Sequence, residues 1–302
     1  MIKIDMTDKA KSEFKRNILG KLKALKKNSK LKSYINRLEK QLKEIKLSEF
    51  NNVITLESLI TMDFNKLKII KKYIDEKNIT FDKDIDLYEE FINRKIRIEH
   101  IKNLNISVCP YCNRNYIVNF EMQSNQIIST AELDHFFSKS EYPCFAISIY
   151  NLVPCCHTCN HIKSNKNINI CSPLDTSIND KILFKYTPKN SDYLHSEEDF
   201  KLECDIFEQS GENEIKNTLE LFHIINIYQK HKDLILELIQ KSQIYTESYI
   251  DELLQNYQGK IFNNREDLLR LIIGVYVDEK DINKKPLSKL LIDISKSLGL
   301  LY

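Results

Sequence analysis

Apolar residues recur every three or four positions along the first hundred residues, the spacing of one face of an α-helix. The pattern runs from Phe14 to Leu25 and again from Leu31 to Ile45, which predicts a helical hairpin turning through Asn28-Ser29-Lys30. Residues 1–105 are therefore expected to form a helical region. Further helices are expected from Thr55, around Leu67, Ile70 and Ile74, and through Leu87, Phe91, Ile98 and Ile101.

After residue 170 the pattern changes to short apolar clusters and alternation. Residues 182–186 and 200–207 predict two strands, closed by Ser210-Gly211. The helical spacing then returns over residues 212–258, with Gly259 as a C-terminal cap, and Pro286 opens a last helix that ends at Gly299. The predicted fold class is α+β and mainly helical, with residues 171–302 forming a small sheet followed by helices.

Two Cys-x-x-Cys pairs lie in the segment between these regions, which spans residues 106–170. Cys109 and Cys112 form the first pair, and Cys156 and Cys159 form the second. Four thiolates in two such pairs match a tetrahedral structural zinc site. Their wide separation indicates that a segment is inserted between the two halves of the site. Two neighbouring residues, Cys155 and His157, are further possible ligands.

The inserted segment contains the polar residues from which a reaction site is expected. Residues 126–135 predict a strand and Asn151-Leu152-Val153-Pro154 a short second one, with Lys139 in the loop between them. A helix starting at the second cysteine pair would place four residues on one face, because they are spaced at i, i+3, i+4 and i+7. These residues are Cys156, Cys159, Asn160 and Lys163.

This window resembles the HNH nuclease motif, also called the ββα-metal finger. The resemblance rests on Glu132-Leu133-Asp134-His135, Asn151-Leu152, Cys156-x-x-Cys159-Asn160 and Lys163. It implies a zinc-clamped ββα finger in which Asp134 and Asn160 bind the catalytic metal, His135 is the general base and Asn151 orients that base. A register shifted by one residue would put His161 in the place of Asn160.

The same roles follow from the chemistry of phosphodiester hydrolysis, which needs a deprotonated water and a charge sink. Histidine suits the first task because its pKa of about 6.5 lies near neutral pH. A carboxylate and a carboxamide offer oxygen ligands that suit Mg²⁺ or Mn²⁺, whereas the thiolates suit Zn²⁺. Three lysines, Lys139, Lys163 and Lys166, either contact phosphates or form a solvated face.

Within HNH proteins the segment DHFFSKSEYPCFAISIYNLVPCCHTCN is most similar to the HNH components of bacterial antiphage systems of the Septu and retron-associated kind. The shared feature is a Lys-Ser-x-x-Pro step, preceded here by Ser138 where that group has proline. The resemblance covers about 60 of the 302 residues. It implies a DNA-cleaving effector in antiviral defence that works beside an ATPase partner.

Charge and composition add a second nucleic-acid signal and leave alternatives open. The net charge is only +2, yet residues 1–50 carry 15 Lys and Arg against 6 Asp and Glu. This basic end either follows a phosphate backbone or is the solvated face of an amphipathic helical arm. Eight cysteines without a secretion signal indicate a soluble, reduced, cytoplasmic protein without disulfides. A zinc-dependent binding module without catalysis, a nuclease acting on RNA and a stand-alone restriction enzyme are alternatives.

Overall fold

The computed structural model describes residues 2–24, 29–47, 50, 53–124, 126–166, 168–175, 181–207 and 212–301. The described chain is an α+β protein in which helices predominate, as the hydrophobic pattern predicts. Its helices, numbered α1 to α13 in chain order, are Asp8–Ala24, Ser29–Glu44, Leu56–Ile60, Phe64–Glu76, Leu87–Phe91, Arg94–Asn103, His157–Lys163, Glu212–Leu221, Ile224–Tyr228, Lys232–Ile244, Glu247–Tyr257, Arg265–Ile273 and Ser288–Ser297.

The described strands form three antiparallel pairs, β1 with β2, β3 with β4 and β5 with β6. The prediction of one strand over residues 126–135 is wrong, because the chain changes partner there. Residues 127–129 pair with β1, whereas residues 132–135 pair with β4, and the Ser129 hydroxyl accepts a hydrogen bond from the Ala131 N–H between them. The six strands are Asn119–Glu121, Ile127–Ser129, Glu132–His135, Leu152–Cys155, Ile182–Pro188 and Phe200–Ile206.

The N-terminal helices form where the apolar spacing predicts them. Helices α1 and α2 bury Phe14, Ile18, Leu38 and Leu42. The turn was predicted too late in the sequence, because Ser29 and Lys30 already belong to α2, whereas Leu25 and Asn28 lie outside the described residues. Thr55 begins α3 with a capping box, in which its side chain accepts a hydrogen bond from the Ser58 N–H. The basic N-terminal region therefore packs into the core along one face of each helix and leaves its lysines on the other.

One predicted helix is divided in two. The helix expected from Leu87 to Ile101 consists of α5 and α6, because Asn93 adopts an extended conformation and caps the second helix through the Ile96 N–H.

The first residues of the chain pack against the middle segment, where the Ile2 N–H donates to the Pro110 carbonyl at 2.8 Å. These contacts join the helical region to the first cysteine pair.

The C-terminal region packs a helix on the β5–β6 hairpin. Strands β5 and β6 lie close to residues 182–186 and 200–207 as predicted, and the Phe184 N–H donates to the buried Asp293 carboxylate of α13 at 3.0 Å. Gly259 and Gly299 follow helices with φ angles of 77° and 70°, which glycine adopts easily. The predicted end of the second strand at Ser210-Gly211 lies outside the described residues.

None of the described helices has the length and apolarity needed to cross a membrane.

Candidate functional site

Four buried cysteines form a cluster with the chemistry of a zinc site. The sulfurs of Cys109, Cys112, Cys156 and Cys159 all lie within 4.8 Å of one another. Tetrahedral coordination with Zn–S distances of about 2.3 Å needs sulfurs about 3.8 Å apart, so only a small contraction is required. The predicted four-thiolate group is therefore brought together and fits a structural metal such as Zn²⁺.

Local backbone geometry builds each half of the cluster. The first pair sits in a tight turn in which the Asn113 N–H donates to the Cys109 carbonyl at 2.8 Å, and Asn113 adopts a φ of 47°. The second pair starts α7, where Cys156 occupies the N-cap position. The prediction of a helix from the second pair is thus confirmed, although the helix begins one residue later, at His157.

Polar groups contact both the sulfurs and the backbone of the cluster. The Asn115 amide donates to the Cys156 Sγ at 3.3 Å, and the buried Tyr228 hydroxyl donates to the Cys112 carbonyl at 2.7 Å. Hydrogen bonds from the other three thiols hold the pKa of Cys156 well below its usual value. Cys155 and His157 are not part of the cluster among the described residues.

The β3–β4 hairpin and α7 form a ββα unit directly attached to the cluster. Asp134 pairs with Val153 and His135 with Leu152 across the hairpin. Alternate residues of a strand face the same side, so Glu132 and Asp134 share one face. Helix α7 packs on that face, and its Asn160 and Lys163 side chains contact these two carboxylates.

Asp134 is a buried carboxylate held from two sides. Its Oδ2 accepts a hydrogen bond from the Tyr111 hydroxyl at 2.6 Å, and its Oδ1 accepts one from the Lys163 ammonium at 2.9 Å. Only 4% of the Asp134 side chain is exposed. Burial raises the pKa of Asp134, and the Lys163 charge and the Tyr111 hydroxyl oppose that rise. Because Tyr111 lies between Cys109 and Cys112, the carboxylate is tied to the thiolate cluster.

Asn160 lies beside Glu132 rather than in hydrogen-bond contact with Asp134. Its Nδ2 donates to the Glu132 Oε2 at 2.6 Å, which leaves the Asn160 Oδ1 without a hydrogen bond among the described residues. The other Glu132 oxygen accepts a hydrogen bond from the His157 Nδ1 at 2.8 Å. Burial acts to raise the pKa of Glu132, but these two hydrogen bonds prevail and keep it below its usual value. His161 is exposed on the outer side of α7.

His135 lies at the end of β3 and turns away from the face that carries Asp134. Its Nε2 lies 3.1 Å from the Ala146 carbonyl, and its ring packs edge-on against Tyr88 at 4.7 Å. Since a carbonyl oxygen only accepts, the proton resides on Nε2 and Nδ1 carries a lone pair. Burial lowers the pKa of His135 to about 4, so the imidazole is neutral at pH 7.

Asn151 is fully buried and organises the loop that follows His135. Its side-chain oxygen accepts from the Phe137 N–H at 2.7 Å, and its amide donates to the carbonyls of Phe137 and Phe145 at 3.0 and 3.1 Å. Among the described residues, no hydrogen bond joins this side chain to the His135 ring. Because Ala146 follows Phe145 directly, Asn151 fixes the backbone that presents the carbonyl to His135.

The three lysines occupy different environments. Lys139 pairs with Asp86 at 2.5 Å, Lys163 is buried against Asp134, and Lys166 is exposed. Lys163 and Lys166 line a cleft of about 670 Å³ between α4, the loop after His135 and the end of α7. Lysines outnumber carboxylates in this cleft. Its charged lining residues are Lys68, Lys71, Lys72, Lys163, Lys166, Asp75, Glu141 and Glu214.

The ββα unit thus joins Asp134 with Lys163 and Asn160 with Glu132. Among the described residues, no hydrogen bond joins the His135 ring to Asp134 or Asn160. Sequence reasoning assigned no role to Tyr111, Tyr88 or Glu132. The position of Tyr111 inside the first Cys-x-x-Cys pair was an available signal, because a residue there is held beside the paired cysteines. Tyr88 lies 47 positions before His135, and no sequence pattern connected the two residues.

Comparison with known proteins adds no relative: no protein-family model, no curated protein and no solved structure matches this chain.

Proposed function

We propose that the protein is a metal-dependent HNH endonuclease that hydrolyses DNA phosphodiester bonds, with His135 as the general base. The observation that supports this most is the hydrogen bond from the His135 Nε2 to the Ala146 carbonyl. It fixes the tautomer whose Nδ1 accepts a proton, and the lowered pKa keeps that nitrogen free at neutral pH. A neutral imidazole with a fixed tautomer at a part-buried strand end can accept a proton from water, although the lowered pKa makes it a weaker base than an ordinary histidine.

In the proposed reaction the His135 Nδ1 takes a proton from the attacking water, whose oxygen bonds to phosphorus. The bond from phosphorus to the 3′ oxygen then breaks, and the leaving oxygen takes a proton from solvent. The products are 5′-phosphate and 3′-hydroxyl ends. Asn151 supports this step indirectly, because it fixes the loop backbone that carries the Ala146 carbonyl.

The oxygen donors of Asp134 and Asn160 are of the type that suits a hard divalent ion such as Mg²⁺ or Mn²⁺. The Asn160 Oδ1 has no hydrogen bond among the described residues, and an ionised carboxylate offers about four lone-pair sites, of which Tyr111 and Lys163 use two in Asp134. Asp134 and Asn160 would hold the ion. When bound, it would neutralise charge that develops on the phosphate oxygens.

Lys166, just beyond the end of α7, is placed to attract the polyanion. It is exposed and lines the same cleft as Lys163, whose own charge is paired with Asp134. The outer faces of α1 and α2 are also lysine-rich, because those helices bury only their apolar stripe. DNA rather than RNA as substrate, and a role as a defence effector with an ATPase partner, rest on the motif resemblance alone.

A zinc-dependent binding module without catalysis is the second candidate, and one observation favours it. Both Asp134 oxygens already accept hydrogen bonds from protein groups, and the carboxylate is nearly sealed from solvent. In that case Asp134 would only anchor α7 to β3. The two candidates differ in one measurable property, which is turnover.

The test is cleavage of supercoiled plasmid by the zinc-loaded protein with Mg²⁺, Mn²⁺, Ca²⁺ or EDTA. Nicked and linear products with Mg²⁺ or Mn²⁺, and none with EDTA, are expected. Parallel reactions with single-stranded DNA and with RNA identify the substrate. Binding of DNA without cleavage under every metal condition would support the binding module and contradict the nuclease proposal.

A further inference from the structure

Helix α7 presents two exposed histidines on successive turns. His157 and His161 are four residues apart, so they lie on the same side of the helix. Their rings are stacked with centroids 6.2 Å apart and planes inclined by 20°. The His157 side chain is 80% exposed, and neither ring nitrogen of His161 has a hydrogen-bond partner among the described residues. Two histidines at this spacing can reach one metal ion, as they do in helical metalloprotease motifs.

Glu132 prepares one of these histidines for metal binding. Its Oε1 accepts a hydrogen bond from the His157 Nδ1 at 2.8 Å, which places the ring proton on Nδ1 and leaves a lone pair on Nε2. The Asn160 amide holds the other Glu132 oxygen at 2.6 Å, so the carboxylate is fixed. A ligating histidine that donates its second N–H to a carboxylate is the usual arrangement around protein-bound transition metals.

We propose that His157 and His161 form a second metal site, oriented by Glu132, that binds a divalent transition ion such as Zn²⁺, Ni²⁺ or Co²⁺. Imidazole nitrogen favours these ions over Mg²⁺, which prefers oxygen ligands. Water completes the coordination, because both rings are open to solvent. This site is separate from the thiolate cluster, and its existence does not depend on whether the protein cleaves nucleic acid.

The site is tested by titrating the full-length, zinc-loaded protein with Ni²⁺ in a calorimeter, in buffer that contains excess Mg²⁺ and no nucleic acid. The parent should bind one Ni²⁺ per chain, and His161→Ala should abolish that binding. Glu132→Gln keeps the side-chain shape but weakens the acceptor, and we expect a loss of affinity of about 10–100-fold. The matched control is His195→Ala, which removes another exposed histidine and should bind as the parent does.

Two further measurements separate this site from the thiolate cluster. Zinc content should remain at one equivalent in every variant, which shows that the cysteine site is intact. The imidazole ¹⁵N spectrum of the parent should show Ni²⁺-dependent broadening of the His157 and His161 signals but not of His195. Parent protein that binds no Ni²⁺, or His161→Ala that binds it with parental affinity, would overturn the proposal.

Discussion

The Asp134 carboxylate and the Lys163 ammonium form an ion pair of 2.9 Å in which each side chain is only 4% exposed. The same ammonium donates to the His135 carbonyl at 2.8 Å. One lysine therefore ties α7 to both residues of the Asp-His step in β3. Because the Tyr111 hydroxyl holds the other Asp134 oxygen, the ion pair also links this step to the thiolate cluster.

Removal of Lys163 should destabilise the fold strongly. Lys163→Met leaves the buried Asp134 charge without its partner, a change that typically costs about 3–5 kcal/mol. Urea denaturation followed by circular dichroism measures the loss. Lys166→Met, three residues later and exposed, is the matched control and should change the free energy of unfolding by less than about 0.5 kcal/mol. Equal changes in the free energy of unfolding for the two substitutions would show that the ion pair does not stabilise the fold.

Loss of one cluster cysteine should remove metal and stability together. Cys109→Ser takes one of four thiolates from a buried site, and structural zinc contributes directly to folding free energy. Zinc content by atomic emission and the melting temperature should both fall. Cys204→Ser is the control, because that half-buried cysteine lies outside the cluster and should retain the full zinc content. A Cys109→Ser protein that keeps a full equivalent of zinc would contradict the four-thiolate assignment.

Asn151→Ala should loosen the loop that follows β3. The substitution removes three buried hydrogen bonds and leaves the Phe137 N–H and two carbonyls unsatisfied, at a cost of about 1–3 kcal/mol or more. Hydrogen exchange should accelerate in residues 136–146. It should remain unchanged in the distant β5–β6 hairpin, which serves as the internal control. Unaltered exchange at the Phe137 amide would show that Asn151 does not hold this loop.

The pKa of His135 gives a prediction about pH. Burial lowers that pKa to about 4, so the imidazole stays neutral from pH 7 down to values near 4. Histidine imidazole signals followed by NMR should show His135 titrating well below the usual histidine pKa of about 6.5. Cleavage activity should likewise persist below pH 6 as long as the protein remains folded. A His135 pKa near 6.5 would contradict the assigned environment.

Periodicity and spacing predicted the parts of this fold that depend on local sequence. The helical stripes of Phe14 and Leu38, the capping Thr55 and the paired cysteines are all properties of short segments. Which strands pair with each other could not be predicted from short segments in the same way. The chain leaves one hairpin at Thr130 and enters the next, and this switch depends on pairing with Leu152–Cys155, which lies beyond the loop that follows β3.

The motif did not predict the contacts of the residues that it singled out. It singled out Asp134 and Asn160, yet their present partners are Lys163, Tyr111 and Glu132. Whether a carboxylate meets a lysine or a metal depends on burial and on neighbours brought in by tertiary packing, which no spacing rule contains. Asn151 illustrates the same point, since its effect on His135 passes through the loop backbone.

The most direct test of the account is plasmid cleavage by His135→Ala, compared with the parent and with the His195→Ala control under identical Mg²⁺ conditions. Circular dichroism and zinc content should be the same for all three proteins. Loss of the general base should reduce the cleavage rate by about 10²–10⁴-fold in His135→Ala and leave the control unchanged. A His135→Ala protein that cleaves as fast as the parent would contradict the central claim.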